Sequence, residues 1–255
     1  GDMAGLRRVA EVCVRDLDAL QGWIDQAHHR GWVAVDTETT GLNEMTADLV
    51  GVSLCIEPGQ ACYIPLTHRA QATDDLFGSD ALAEGQIPLE DALAALKPLL
   101  EDANVTKVGH DLKRDRHLLA NHGIDLQPLK SDVLLASYVL NSVAIKHNLA
   151  DIIRYYLEIT PQELEPLLGK GRNKLTPSAV AIDQYAGHAA EKADTIFRLG
   201  KHLEQVLAKE GHLLGLYKYY ELPLIEVLQT VERNGIRLDK DELAKQSKAI
   251  GKQID

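Results

Sequence analysis

Short apolar runs bounded by turn residues alternate with stretches of helical period along most of this chain. Trp32 to Val35, an apolar run with two valines directly after Gly31, reads as a buried strand within 31–36. Residues 48–56 and 60–66 read as two further strands, and the dipeptide Pro58-Gly59 between them marks an antiparallel hairpin. Val105 to Val108 make another short strand, after which Gly109 opens a turn. Apolar positions recur at helical spacing over 4–30 (Val12, Leu17, Leu20, Trp23) and over 89–102 (Leu89, Leu93, Leu96, Leu99, Leu100). Helices are also expected up to about Asn121, from an Asp132 cap to Leu140, over 147–157, and over 177–209 with Pro177 in the first turn. The tail from Tyr217 holds two more, divided near Asn234-Gly235, and is too short to build a core of its own. Residues 67–87, and the loop holding Pro161, Pro166, Gly169 and Gly171, read as irregular. A hairpin followed by helix, strand and helix predicts an α/β fold, a mixed sheet with helices on both faces.

Composition narrows the class. Hydrophobic residues make up 45%, enough for a substantial core, and no apolar run approaches the ~20 residues needed to span a bilayer. The start lacks the apolar region of a signal peptide; Gly1 reads as a cloning remnant, and the rest as the inside of a longer natural chain. Cys13, Cys55 and Cys62 are odd in number and have no C-x-x-C spacing, so reduced thiols of a cytoplasmic protein are expected and no zinc site is built from them. The net charge of −11 repels nucleic acid from the molecule as a whole. Nucleic-acid binding would have to rest on bound divalent cations or on local basic clusters. Two such clusters are Lys107, Lys113, Arg114 and Arg116, and the glycine-loosened stretch Gly169 to Lys174. His28, His29, His68 and His117 are scattered and read as surface residues.

The chemistry concentrates at Asp36-Thr37-Glu38. Carboxylates at i and i+2 of a strand point to the same side, so two anionic groups meet at a strand end. Burying them is costly unless a cation neutralises them, and hard oxygen donors at that spacing suit Mg²⁺ or Mn²⁺. Asp111 and Asp115 lie four residues apart and share a helix face; Asp111 is also a natural helix cap. The stretches VAVDTETTGLN (33–43), KVGHDLKRDRHLLANHGIDL (107–126), SDVLLASYVLNSVAIKHNLADI (131–152), GKGRNKLT (169–176) and AAEKAD (189–194), in that order, resemble the 3'–5' proofreading exonuclease domain of bacterial family A DNA polymerases. The segment PLIEVLQTVERNGIRLD (223–239) is similar to the opening of the polymerase domain in the same family.

The resemblance implies an RNase H-like fold with a mixed five-stranded sheet, an exonuclease-like domain over 1–215 and a helical start of a polymerase domain over 216–255. It implies two-metal phosphodiester hydrolysis, with Mg²⁺ or Mn²⁺ held by Asp36, Glu38 and Asp115. Thr39 and Leu42 would contact the terminal nucleotide, and His110, Asp111, Lys113 and Arg114 would face the strand. Leu164 stands where an aromatic commonly stacks on a base. The implied partners are the 3' end of single-stranded DNA and the polymerase domain of the same parent chain, in a monomer, away from membranes, in the nucleoid-associated cytoplasm of a bacterium.

The chain departs from the family at the fourth carboxylate. The pattern there is Tyr-Ala-Ala-Glu-Asp-Ala-Asp, whereas this chain has His188-Ala189-Ala190-Glu191-Lys192-Ala193-Asp194. Lys192 replaces a metal-binding aspartate and His188 replaces the tyrosine that positions water. On a helix Glu191 and Asp194 lie ~100° and ~200° around the axis from position 192. The expectation is therefore a proofreading fold with weak or lost cleavage, Lys192 satisfying the carboxylates without metal. The alternatives are a competent exonuclease in which Glu191 or Asp194 reaches the metal and His188 orients water, and an RNA 3'-end exonuclease of the same superfamily. Tyr185 has the wrong spacing to stand in for the missing tyrosine and reads as a packing residue.

Overall fold

A computed structural model describes residues 12–70, 81–171 and 174–254. Six strands form one sheet: β1 (Val12–Cys13), β2 (Trp32–Thr39), β3 (Leu49–Glu57), β4 (Gln60–Pro65), β5 (Thr106–Gly109) and β6 (Leu129–Asp132), in the order β1-β4-β3-β2-β5-β6. β2, β3 and β4 are an antiparallel meander, whereas β5 runs parallel to β2, β6 parallel to β5, and the two-residue edge strand β1 parallel to β4. The five longer strands in this order are the mixed sheet of the RNase H-like fold. β2 is central and seven of its eight residues are buried, so its side chains meet protein on both faces.

The helices are α1 (Leu17–Arg30), α2 (Leu89–Glu101), α3 (Leu112–Ala120), α4 (Val133–Leu140), α5 (Leu149–Leu157), the single turn α6 (Glu165–Leu168), α7 (Ile182–Leu207), α8 (Gly211–Leu216), α9 (Leu222–Asn234) and α10 (Lys240–Ile254). The helix expected from residue 4 starts later. Asp16 accepts a hydrogen bond from the Ala19 amide at 2.8 Å and caps α1, while Cys13 pairs with the sheet; residues 4–11 lie outside the described residues. β6 takes residues expected only as a helix cap. Asp132 still caps α4, accepting from the Leu134 and Leu135 amides, and also accepts from Leu112 N at 2.7 Å at the head of α3. One buried carboxylate thus starts two helices, and burial raises its pKa to about 6.

The long α7 crosses the sheet. Its Ala190, Ala193, Ile196, Leu199 and Leu203 enter the main core, with Phe197 set edge-on to Trp32 at 4.7 Å. Gly200 permits this approach, because a Cβ there would lie 2.6 Å from Val108 Cγ1 and 3.0 Å from the Trp32 ring. Helical structure continues from α8 through a π turn (Tyr217–Glu221) into α9, and Tyr217, Leu222 and Ile225 join the same core as the sheet. α10 contributes no buried residue.

Substitution Gly200→Ala separates close packing from helix propensity. Alanine gains ~1 kcal/mol of helix preference, and overpacking against Val108 costs ~1–3 kcal/mol. A net loss of stability, seen as a Tm lowered by a few degrees in thermal unfolding, is expected; an unchanged or raised Tm would show that the helix can move away from the strand.

Candidate active site

Three elements converge at the C-terminal half of β2. Asp36 and Glu38 leave the strand, Asp115 comes from the first turn of α3, and Lys192 comes from α7. Asp36, Glu38 and Asp115 are at most 6% exposed. The Lys192 ammonium lies 2.8 Å from Asp36 Oδ2 and 3.2 Å from Glu38 Oε1. On the other oxygen of Glu38 the Tyr185 hydroxyl donates at 2.5 Å. Asp115 Oδ1 accepts from the Thr37 hydroxyl at 2.5 Å, and its Oδ2 is buried without a partner.

These contacts set the charge of the cluster. Burial raises the Asp36 carboxyl to about 7 against the pull of Lys192. Burial and then the neighbouring Asp36 charge hold Asp115 well above the usual carboxylate range, which suits a protonated acid with an idle oxygen. Burial opposes ionisation of Glu38 too, but Lys192, Tyr185 and Asp36 together outweigh it and its pKa is lowered. The same carboxylates raise Lys192 above its ordinary value despite its burial. At neutral pH Glu38 and Lys192 form the charged pair, and Asp36 shares the ammonium.

The helical angles decide the rest of α7. Tyr185, His188 and Lys192 recur at three- and four-residue spacing, on one face. His188 is half-buried; burial lowers its pKa, and its Nδ1 has no partner. Asp194 points elsewhere: it accepts from Gly59 N at 2.7 Å at the β3–β4 turn and from Arg198 Nε at 2.7 Å. Glu191 interacts with the Gln162 backbone beside the α5–α6 loop. Neither side chain lies at the position of Lys192. Tyr185, read from sequence as packing alone, is fully buried against Tyr63 and His68 and also holds Glu38. Its signal was its place one turn before His188.

The expected strand-binding residues fare unevenly. Leu42 is 90% exposed on the β2–β3 loop, free to meet a ligand. Thr39 and Gly41 are fastened by Arg114, whose Nη2 lies 2.8 Å from Thr39 Oγ1 and from Gly41 O. His110 contacts the His147 carbonyl at 3.1 Å, and burial lowers its pKa to about 4. Asp111 occupies the head of α3 in the left-handed conformation (φ 64°) without capping it. Lys113 pairs with Glu232 at 2.5 Å. Leu164, with His188, Glu191 and Lys192, lines a groove of about 390 Å³.

Two expectations are corrected. The basic cluster of 107–116 is dispersed by helix and strand geometry: Lys107 is buried with its ammonium on Asp102 O, and Arg116 is buried against Asp125. In the second cluster Lys170 pairs with Glu165, and residues 172–173 lie outside the described residues. His68 and His117 are fully buried, not surface residues; His68 bonds Tyr63 Oη at 2.7 Å and Val180 O at 2.9 Å.

A D-x-E strand at the centre of a mixed sheet, an acid from the helix after the adjacent parallel strand and a polar face on a crossing helix place the chain in the RNase H-like class of folds. The match to the 3'-5' exonuclease family extends over residues 12–208, and the chain belongs to that family. It is 40% identical over 247 residues to DNA polymerase I of Rhizobium leguminosarum, an alignment covering 93% of this chain and 24% of the relative. The chain thus spans about a quarter of the length of the curated relatives it matches. The Pol1 polymerase region of M. smegmatis, solved with primer-template DNA and dNTP, shares the fold at TM-score 0.69 and 22% identity, over 95% of this chain and 35% of that one. NrnC of Brucella melitensis with bound Mg²⁺ shares it at TM-score 0.56 and 22% identity, over 89% of this chain and 94% of that one.

Lys192→Met leaves two buried carboxylates without their cation, and breaking a buried pair costs ~3–5 kcal/mol. Once freed, Asp36 and Glu38 titrate above their unfolded pKa, so stability falls as pH rises through that range. Urea unfolding should show a large loss at pH 8 and a smaller one at pH 5; equal losses at both would remove the charge argument.

Proposed function

We propose that this chain is the exonuclease domain of a DNA polymerase in which Lys192 has replaced metal with an internal cation, leaving a site that receives the 3' end of single-stranded DNA and cleaves it weakly or not at all. The observation that carries this reading is the ammonium 2.8 and 3.2 Å from the two carboxylates that would hold a divalent ion. An Mg²⁺ or Mn²⁺ ion at Asp36 and Glu38 would face that ammonium at close range, and Asp115 is engaged by Thr37. The residues present therefore do not fit a two-ion centre.

The remaining features favour binding over chemistry. Exposed Leu42 offers an apolar contact for a terminal base, and the groove lined by Leu164 also reaches His188 and Lys192. An aliphatic residue at 164 forgoes base stacking, worth ~1–3 kcal/mol per base, so strand binding is weak as well. Residues 216–255 serve as the start of the polymerase domain. Val227, Val231, Ile236 and Leu243 on this tail are exposed, as expected of a face that meets the rest of a longer chain. DNA is preferred over RNA as substrate because the relatives matched along nearly the whole chain are DNA polymerases.

Labelled single-stranded DNA with Mn²⁺ tests the reading on a denaturing gel. The chain as it stands should shorten the 3' end slowly or not at all, and Lys192→Asp should raise the rate about tenfold or more, as restored metal ligation does. Rapid shortening by the unaltered chain, abolished by Asp36→Ala, would overturn it.

A further inference from the structure

Among the described residues, the three-residue cluster whose donor atoms all lie within 4.8 Å of one another is not the strand-end acids but Glu44, His117 and Glu232. They come from three elements: the β2–β3 loop, the last turns of α3, and α9. We propose that they form a cation site of the kind Zn²⁺ takes, which fastens α9 and the Leu42-bearing loop to α3. The inference stands apart from the Lys192 site and does not depend on its activity.

Imidazole nitrogen and carboxylate oxygen are both donors that Zn²⁺ accepts, and three of them leave a fourth position to water. His117 is the second observation. Its ring is fully buried, its Nε2 lies 2.8 Å from Glu232 Oε2, and its Nδ1 is buried without any partner. A buried imidazole with one idle nitrogen and the other turned to an outlying carboxylate is poorly used by packing alone. Asp111 adds negative potential nearby, since Glu44 and Asp111 repel one another. Lys113 holds the other oxygen of Glu232 at 2.5 Å, so an ion must share this carboxylate with an ammonium. That competition makes the site a reversible clasp.

The location gives the clasp a consequence. The same corner is tied by Arg233, whose Nη1 lies 3.0 Å from Asn121 Oδ1 and 3.3 Å from the His117 carbonyl, and by Asn121 Nδ2 at 2.9 Å from Glu44 O. An ion here couples the position of the loop carrying Leu42 to that of α9.

Calorimetric titration of the purified chain with Zn²⁺ alone tests this, with amide hydrogen exchange as a second readout. One ion per chain is expected. Glu44→Gln and Glu232→Gln should each weaken binding about tenfold or more, whereas Asp36→Asn should leave it unchanged. Exchange in 222–234 should slow with Zn²⁺ in the unaltered chain and not in Glu44→Gln, a change confined to a half-exposed side chain. Absence of Zn²⁺ binding, binding indifferent to Glu44→Gln, or binding lost with Asp36→Asn would each overturn the proposal.

Discussion

Burying two carboxylates at the end of a central strand requires a positive charge, and in this protein the charge is covalently part of α7. Everything around the site follows from that constraint. A free ion can leave; a lysine cannot, and its stem fixes the height of the helix over the sheet. The placement of α7 in turn rests on Gly200, where the helix backbone lies against Val108 and Trp32. A residue with a Cβ at 200 would move the helix away from the sheet, and with it the ammonium. The close approach and the ion cluster are two parts of one arrangement.

The same economy is visible at Asp132, where one buried carboxylate accepts amides from the heads of α3 and α4. Asp115 is presented toward β2 because α3 begins where Asp132 fixes it. Asp111, the residue that sequence would make the cap, is displaced into a left-handed conformation instead. The acids of this protein thus divide by partner. Glu38 is drawn toward ionisation by Lys192, Asp132 is held by amides, and Asp115 is pushed above the usual carboxylate range by burial and by the neighbouring Asp36.

The strands and long helices were legible because their periodicity is strong: the apolar run at Trp32, the Pro58-Gly59 hairpin and the leucines of α2 all fall where expected. The short edge strand β1 was not, because two residues carry no periodicity and their pairing with β4 is tertiary. In the candidate site, Asp36, Glu38, Asp115 and Lys192, named from motif order, are brought together by the fold. Tyr185 was missed because spacing to a chain neighbour was weighed, whereas its role depends on the helix face shared with Lys192. The basic stretch 107–116 misled for the converse reason. Adjacent residues on a strand and the helix after it point in different directions, so Lys107 and Arg116 turn inward while Lys113 and Arg114 reach Glu232 and the Thr39 loop.

Charge supplies the last step of synthesis. With a net charge of −11 and the basic side chains of 107–116 already engaged at Asp102, Asp125, Glu232 and the Thr39 loop, this face offers a DNA backbone little attraction. In a metal-bearing exonuclease the ions themselves would draw the phosphate into the site. Here Lys192 spends its single charge on Glu38 and Asp36, leaving none in excess for an incoming phosphate. Displacement of a divalent ion by Lys192 would weaken strand capture and cleavage together, the aliphatic Leu164 adding to the first. The architecture that remains is a helix set over a sheet with its Lys192 ammonium 2.8 Å from Asp36 and 3.2 Å from Glu38.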